Sequence, residues 1–317
     1  MLGTIAAWGG FLLFVFAMMA IDLGLFHKKS HAVSTKEAAI WTCVWVTLAL
    51  LFNAGVYFFE GSEAAVNFLT GYLVEYSLSV DNIFVFILLF SYFKVSPLYR
   101  HRVLFWGILG ALFFRATLIG VGAALIAKFH WIIYIFGAFL IFTGIKMAFS
   151  GDAHPEPDKN PIVSFFKKHF PVVNAYHGDH FFVKPEHALR WHATPLFIVL
   201  LVIETTDIMF ALDSIPAIFG ITSDAFIVFT SNVFAIMGLR SLYFLLDGVM
   251  DLFRYLKFGL TFVLCFIGIK MVLSDLWHVP TSLSLGVVAA ILGISIVASI
   301  VHEQLEKKAA NKTHTPG

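Results

Sequence analysis

Thr194-Pro-Leu-Phe-Ile-Val-Leu-Leu-Val-Ile-Glu204-Thr-Thr-Asp207-Ile-Met-Phe-Ala-Leu-Asp213-Ser-Ile-Pro-Ala-Ile-Phe219 runs for 26 residues with three carboxylates and no basic residue. That length suits a helix crossing a bilayer, which needs about 20 mostly apolar residues. The rest of the chain agrees with that solvent: of 317 residues, 59% are apolar and only 13% charged, with a mean hydropathy of +0.87. A soluble domain carries roughly 25% charge, so a conventional cytosolic enzyme is excluded. The net charge of +1 offers no field to attract nucleic acid. No glycine-rich phosphate loop is present, which argues against ATP hydrolysis. Cys43 and Cys265 stand alone in apolar runs, without zinc, haem or thioredoxin spacing. The expectation is an all-α, polytopic membrane protein that is not an enzyme.

Working outward, apolar segments of membrane length fall at about 2–25, 38–59, 64–92, 101–127, 131–149, 194–219, 225–248, 256–274 and 281–302, about nine in all. The first lacks a basic leader and a small-residue cleavage site, so it is read as a retained span. Basic residues set the orientation. With the N-terminus outside and the C-terminus cytoplasmic, sixteen Lys and Arg lie in inner loops and tail against Lys128 alone outside. The expected organisation is peripheral helices over 1–63, a first repeat over 64–149 and a cytoplasmic loop over 150–193. A second repeat over 194–274 and a last helix with its tail over 275–317 complete it.

The halves echo one another. Glu75 and Asp81 are six apart, as are Asp207 and Asp213, both pairs at an offset of 132. Arg115 maps to Arg240 at 125, and Gly144-Ile-Lys146-Met to Gly268-Ile-Lys270-Met at 124. Three spans per copy is odd, so the second copy runs the opposite way: an inverted three-plus-three repeat, an architecture of transporters with sites near the midplane.

Five acids lie inside spans: Glu75, Asp81, Glu204, Asp207 and Asp213. By insertion scales each ionised carboxylate costs about 2.5–3.5 kcal/mol at a helix centre, so five cost about 12–18 kcal/mol. They must face a polar cavity, be protonated or be paired. Arg115 and Arg240 supply charge compensation for two of them; the surplus calls for a cation or for protons. A purely structural ion-pair network explains two acids better than five. Pro216 cannot donate to the Leu212 carbonyl, so a helix break is expected around Ala211–Ile215, with a matching bend near Ser77, Ser79 and Asn82.

The auxiliary donors are the Asn82 and Asn232 amides, the Ser214 and Ser231 hydroxyls and freed carbonyls. All are hard oxygen donors, suited to Mg²⁺, Ca²⁺ or Mn²⁺ rather than Zn²⁺ or Cu⁺. Met209 adds one soft thioether that would favour Mn²⁺, although a methionine in an apolar helix is ordinarily a packing residue. The six loop histidines, densest at His177-Gly-Asp-His180, read as metal ligands or as ordinary solvated side chains. Lys146 and Lys270 lie near span ends, where snorkelling suffices.

Glu75-Tyr-Ser-Leu-Ser-Val-Asp81-Asn82-Ile-Phe-Val-Phe86 and Glu204-Thr-Thr-Asp207-Ile-Met-Phe-Ala-Leu-Asp213-Ser214-Ile-Pro216-Ala217 closely resemble the signature segments of TerC-family integral membrane proteins. The resemblance runs from about residue 40 to residue 300 and leans toward the Alx-like bacterial members. It implies export of manganese from the bacterial cytoplasm across the inner membrane, with Glu75, Asp81, Glu204, Asp207 and Asp213 essential. Direct transport of tellurite, for which the family was named, conflicts with surplus carboxylates that repel an oxyanion.

The functional expectation is therefore a divalent-cation exporter with protons as the exchanged ion and no prosthetic group. A Ca²⁺/H⁺ exchanger using the same acids is one alternative. Another is a metallation or assembly partner of envelope proteins or of the translocation machinery, contacted through the 150–193 loop.

Overall fold

The computed structural model describes residues 5–26, 34–129, 131–149, 161–185, 190–247, 255–274, 276 and 279–313. Helices α1 (Ile5–Phe26), α2 (Thr35–Glu60), α3 (Ser62–Tyr92), α4 (Pro97–Lys128) and α5 (Ile132–Phe149) form the first half. A short α6 (Pro161–His169) and a two-residue hairpin, β1 (Phe182–Val183) with β2 (His192–Ala193), follow. Then come α7 (Pro195–Phe219), α8 (Ala225–Met237), α9 (Leu239–Leu246), α10 (Leu256–Val272) and α11 (Thr281–Thr313).

Local sequence sets several boundaries. Pro97, Pro161 and Pro195 open α4, α6 and α7, where a missing N–H costs nothing. Asp224 caps α8 by accepting from the Phe226 and Ile227 amides at 2.8 and 3.3 Å.

The chain is an all-α polytopic membrane protein. Among the described residues, α2, α3, α4, α5, α7 and the Ser282–His302 stretch of α11 are each long and apolar enough to cross a bilayer. The α8–α9 pair, bent by 40°, makes a seventh if taken as one span. Ile5–Ile21 and Phe258–Val272 are apolar but shorter. The outward faces are apolar: Phe58 is 81% exposed, Phe113 67% and Ile294 69%. Charged Glu75 and Arg115, by contrast, are buried. That reverses the usual arrangement of a protein in water and fits lipid as solvent.

Two expectations are corrected here. Helix α7 continues unbroken through Pro216, and α3 through Ser77 and Ser79. Pro216 lies three residues before the end of α7, so it disturbs only the last turn, and its neighbours Ile215, Ala217 and Ile218 are all buried. The break occurs instead at Gly238, between α8 and α9.

Helices α3, α4, α7 and α8 form the centre. Helix α3 packs on α8, and α4 on α7. Helices α1 and α2 cover one flank through a ring cluster of Phe11, Phe52, Phe68, Phe226 and Phe234. Helix α10 lies along α5, with α11 beside α10 and α3. The α5–α10 contact is reciprocal. A Cβ at Gly144 would fall 2.8 Å from Cys265 Sγ and 3.1 Å from the Thr261 carbonyl. A Cβ at Gly268 would fall 2.7 Å from the Gly137 carbonyl and 2.8 Å from Ile141 Cγ1. Adding 124 turns Gly144, Gly137 and Ile141 into Gly268, Thr261 and Cys265, so each contact maps onto the other. The two helices run antiparallel, and glycine lets their backbones touch.

At the end carrying the α3–α4 turn, three consecutive residues of α4 are tied to later elements. Arg100 donates to the Tyr243 hydroxyl and to Asp247, both at 3.1 Å. His101 meets Arg240 at 3.2 Å. Arg102 pairs with Asp179 and lies 5.3 Å from the Phe181 ring centroid. Burial works to raise the Asp179 carboxyl, but the hydrogen bond and charge of Arg102, helped by His180, hold it below the usual carboxylate range. A depressed carboxylate stabilises the docked loop above the unfolded pKa and loses that effect as pH falls through the folded one. Proteolytic protection of 161–185 is therefore expected to be constant at neutral pH and to fall in acid. In Asp179→Asn, protection at neutral pH should drop and its acid dependence flatten; unchanged cleavage would show that the pair does not hold the loop.

Candidate functional site

Arg115, midway along α4, lies at the centre of the bundle and is 1% exposed. Its Nε and Nη2 donate to the two Asp207 oxygens at 3.3 and 3.1 Å. Its Nη1 pairs with Glu75 Oε1 and donates to Asn232 Oδ1 at 2.7 Å and Ser214 Oγ at 3.2 Å. One guanidinium thus gathers side chains from α3, α7 and α8. Glu75 and Asp207, 132 residues apart in sequence, converge on it from opposite halves. A planar fork with five donors can hold two carboxylates and two neutral oxygens at once, which an ammonium cannot.

Beside this clamp lies a cavity of about 50 Å³ lined by Glu75, Asn82, Asp213 and Ser214, with Arg115, Leu78, Met147, Phe210 and Leu264. A single water needs about 10–15 Å³, so there is room for more than one small ligand. Glu75 Oε2 and both polar atoms of the Asn82 amide are buried without a hydrogen-bond partner among the described residues. Native interiors leave few such groups, and each calls for an explanation. Asp213 Oδ1 accepts from Thr143 Oγ1 at 3.3 Å, and Lys146 acts on the same carboxyl electrostatically. Asn232 Nδ2 and Ser79 Oγ are likewise without partners.

The expected site residues thus divide. Glu75, Asn82, Asp213 and Ser214 meet at the cavity; Asp207 and Asn232 hold Arg115. Glu204 turns away from this cavity toward α4, where a Cβ at Gly110 would overlap its carboxylate. Met209 is 64% exposed, so its thioether cannot join the acids, a correction to its expected auxiliary role. Asp207 and Asp213 sit on the inner side of α7, and Met209, two residues past Asp207, is carried about 200° around the helix from it. The Asp81 side chain lies outside the described residues.

Arg240 bonds His101 and shares with Asp207 the wall of a separate cavity of about 10 Å³, room for at most one water. Helix α7 is continuous through Pro216, which has no N–H to offer the Leu212 carbonyl.

Sequence reasoning missed Thr143 and the electrostatic reach of Lys146 toward Asp213. It missed Gly110, which makes room for Glu204, and His101. Span-by-span reading gives no signal for any of the four, because each acts across a helix interface.

Among the described residues, no three His, Cys, Asp or Glu side chains converge as a metal cage. The loop histidines make local contacts instead. His169 meets the Phe165 carbonyl at 2.8 Å, His192 the Arg190 carbonyl at 3.0 Å and His180 the Asp179 carboxylate at 3.4 Å. His154 and His187 lie outside the described residues. The cavity instead combines two carboxylates with an amide and a hydroxyl, a hard-oxygen set.

Comparison with known proteins agrees with the fold. An uncharacterised membrane protein of Myxococcus xanthus, STKORF319, is 51% identical over 299 residues, 94% of this chain and 93% of that one. A Salmonella typhi protein bearing the name Alx and described as a membrane-bound redox modulator is 48% identical over 316 residues, 96% and 98% of the two chains. Its namesake in Escherichia coli strain K12 is 48% identical over 304 residues, 93% and 94%. No solved structure matches. The profile of the TerC integral membrane proteins matches residues 60–308, spanning both acidic segments and the arginine clamp between them, and the chain belongs to the TerC family.

Proposed function

We propose that this protein exports a divalent, oxygen-seeking cation, manganese first among them, from the bacterial cytoplasm across the inner membrane. The observation that carries the reading is the buried cavity between Glu75, Asn82, Asp213 and Ser214, whose walls include oxygen donors without partners. A cation placed there would satisfy Glu75 Oε2 and Asn82 Oδ1 together. The site lies inside the helical stretches of α3, α4 and α7, away from their ends, and transporters of inverted repeats bind their substrates near the midplane. The reciprocal, antiparallel contact of α5 with α10 supports such a repeat.

Moving a +2 ion out of a negative-inside cell costs about 4.6 kcal/mol per 100 mV. Proton antiport is the economical source of that energy, with the acids carrying protons on the return. Arg115 occupies one Glu75 oxygen and both Asp207 oxygens, so it acts as a tethered cation holding these charges when no metal is bound. The N-terminus lies outside and the C-terminus in the cytoplasm, the sense that places sixteen basic residues inward. The docked segment 161–185 then seals the cytoplasmic end.

Purified protein in vesicles, given Mn²⁺, Ca²⁺ and Mg²⁺ in turn with and without a pH gradient, is the direct test. Mn²⁺ flux that the gradient accelerates is expected. Faster Ca²⁺ than Mn²⁺ flux would make the protein a Ca²⁺/H⁺ exchanger instead. No flux of any ion, with stable co-purification of envelope or translocation proteins, would favour a metallation partner.

A further inference from the structure

A polar vestibule of about 380 Å³ lies between the start of α3, the end of α7 and the end of α10. Glu63 and Asn67 border it from α3, Thr222 and Ser223 from the turn after α7, and Lys270 and Ser274 from the α10 end. Asn67 Oδ1 and Ser274 Oγ are buried there without hydrogen-bond partners among the described residues.

Helix α3 connects this vestibule to the central cavity. From Asn67, steps of four residues reach Gly71, Glu75 and Ser79, and Asn82 follows. At 100° per residue, Gly71, Glu75, Ser79 and Asn82 fall within about 80° of arc, with Asn67 about 40° to one side. Asn67, Glu75, Ser79 and Asn82 each hold a buried polar atom with no partner. Packing has no use for such a file on an otherwise apolar helix; a passing hydrated ion does. Gly71 marks the narrow point, since a Cβ there would come within 2.9 Å of Ser231 Oγ and 3.3 Å of Ile218 Cγ2.

We propose that this face of α3 is the route by which the cation leaves the central cavity, with the vestibule as its release site and the Gly71–Ile218–Ser231 contact as the constriction between them. The route rests on the export reading. The Glu63 carboxylate, the hydroxyls and the negative end of the α7 dipole suit a partly hydrated divalent cation. The Lys270 ammonium in the same vestibule opposes rebinding, which favours release over retention.

The test uses the full chain in vesicles, with Cys43 and Cys265 replaced by serine and Asn67→Cys introduced. A membrane-impermeant cationic thiol reagent on the outer side is expected to modify Asn67→Cys, and excess Mn²⁺ to slow the reaction. Modification should lower Mn²⁺ efflux about tenfold or more, whereas modified Glu60→Cys, at the outer end of α2, keeps the unmodified rate. Asn67→Ala should lose efflux while Mn²⁺ still raises the melting temperature of the purified protein, because the central cavity is intact. No modification at position 67, or modification with efflux unchanged, would overturn the route. Absence of Mn²⁺-induced stabilisation and of efflux in the unsubstituted protein would overturn the export reading, and the route with it.

Discussion

Replacing Arg115 by leucine is expected to destabilise the protein by about 3–5 kcal/mol, the cost of removing one partner from a buried ion pair. The substitution strands Glu75 at 0% exposure and Asp207 at 3% with no counter-charge. It also unties α4 from α3, α7 and α8 at one point, because all four contacts of the clamp pass through one guanidinium. Arg115→Lys should recover only part of the loss, since an ammonium lacks the planar fork that reaches Asp207 on one side and Glu75 on the other. Thermal unfolding in detergent measures both variants. A leucine variant as stable as the wild type would mean that Glu75 and Asp207 are neutral in the folded chain, so that no charge needs compensation.

Asp213→Asn is expected to do the opposite: leave the fold within about 1 kcal/mol of wild type, because the isosteric amide keeps the side chain's shape and its hydrogen bond, yet cut Mn²⁺ flux in vesicles at least about tenfold. The amide oxygen can still accept from Thr143 at the position Asp213 Oδ1 occupies, 3.3 Å away. What disappears is one of the two carboxylates lining the cavity, and ligand charge count tunes the affinity of an oxygen site for a divalent ion. Asp207→Asn supplies the contrast, because it weakens the Arg115 clamp and should lower stability as well as flux. If Asp213→Asn carries Mn²⁺ at the wild-type rate, the cavity is not the transport site. These two substitutions therefore separate the residues that hold the bundle from those that face the cavity.

The relatives named for redox modulation do not redirect this reading. Cys43 on α2 and Cys265 on α10 are free thiols on separate helices. A protein that sets cytoplasmic manganese would influence redox balance without redox chemistry of its own.

Much of this was legible from residues alone, for a physical reason. A carboxylate in a membrane span is costly wherever it sits, so Glu75, Asp207 and Asp213 announced themselves by solvent mismatch. Arg115 was marked by the same mismatch with opposite sign. The matched offsets of 132, 125 and 124 are equally readable, because spacing along the chain needs no coordinates. Composition gave the all-α membrane class, since only helices and closed barrels satisfy the backbone in lipid.

Orientation around each helix was not legible, and it decided everything finer. Met209 and Asp207 are two residues apart, yet one is 64% exposed and the other 3%. Arg115 and Arg240 correspond by offset, yet Arg115 lines the cavity of Glu75 and Asp213 while Arg240 lines a separate one with Phe86 and Asp207. Pro216 looked like the break, while Gly238 bends the chain. Residue chemistry alone identifies the groups that lipid cannot tolerate. Which of them face one another is fixed in the folded bundle, because that depends on how α3, α4, α7 and α8 rotate against each other. Such rotations are set by contacts between residues far apart in the chain, and no local pattern encodes them.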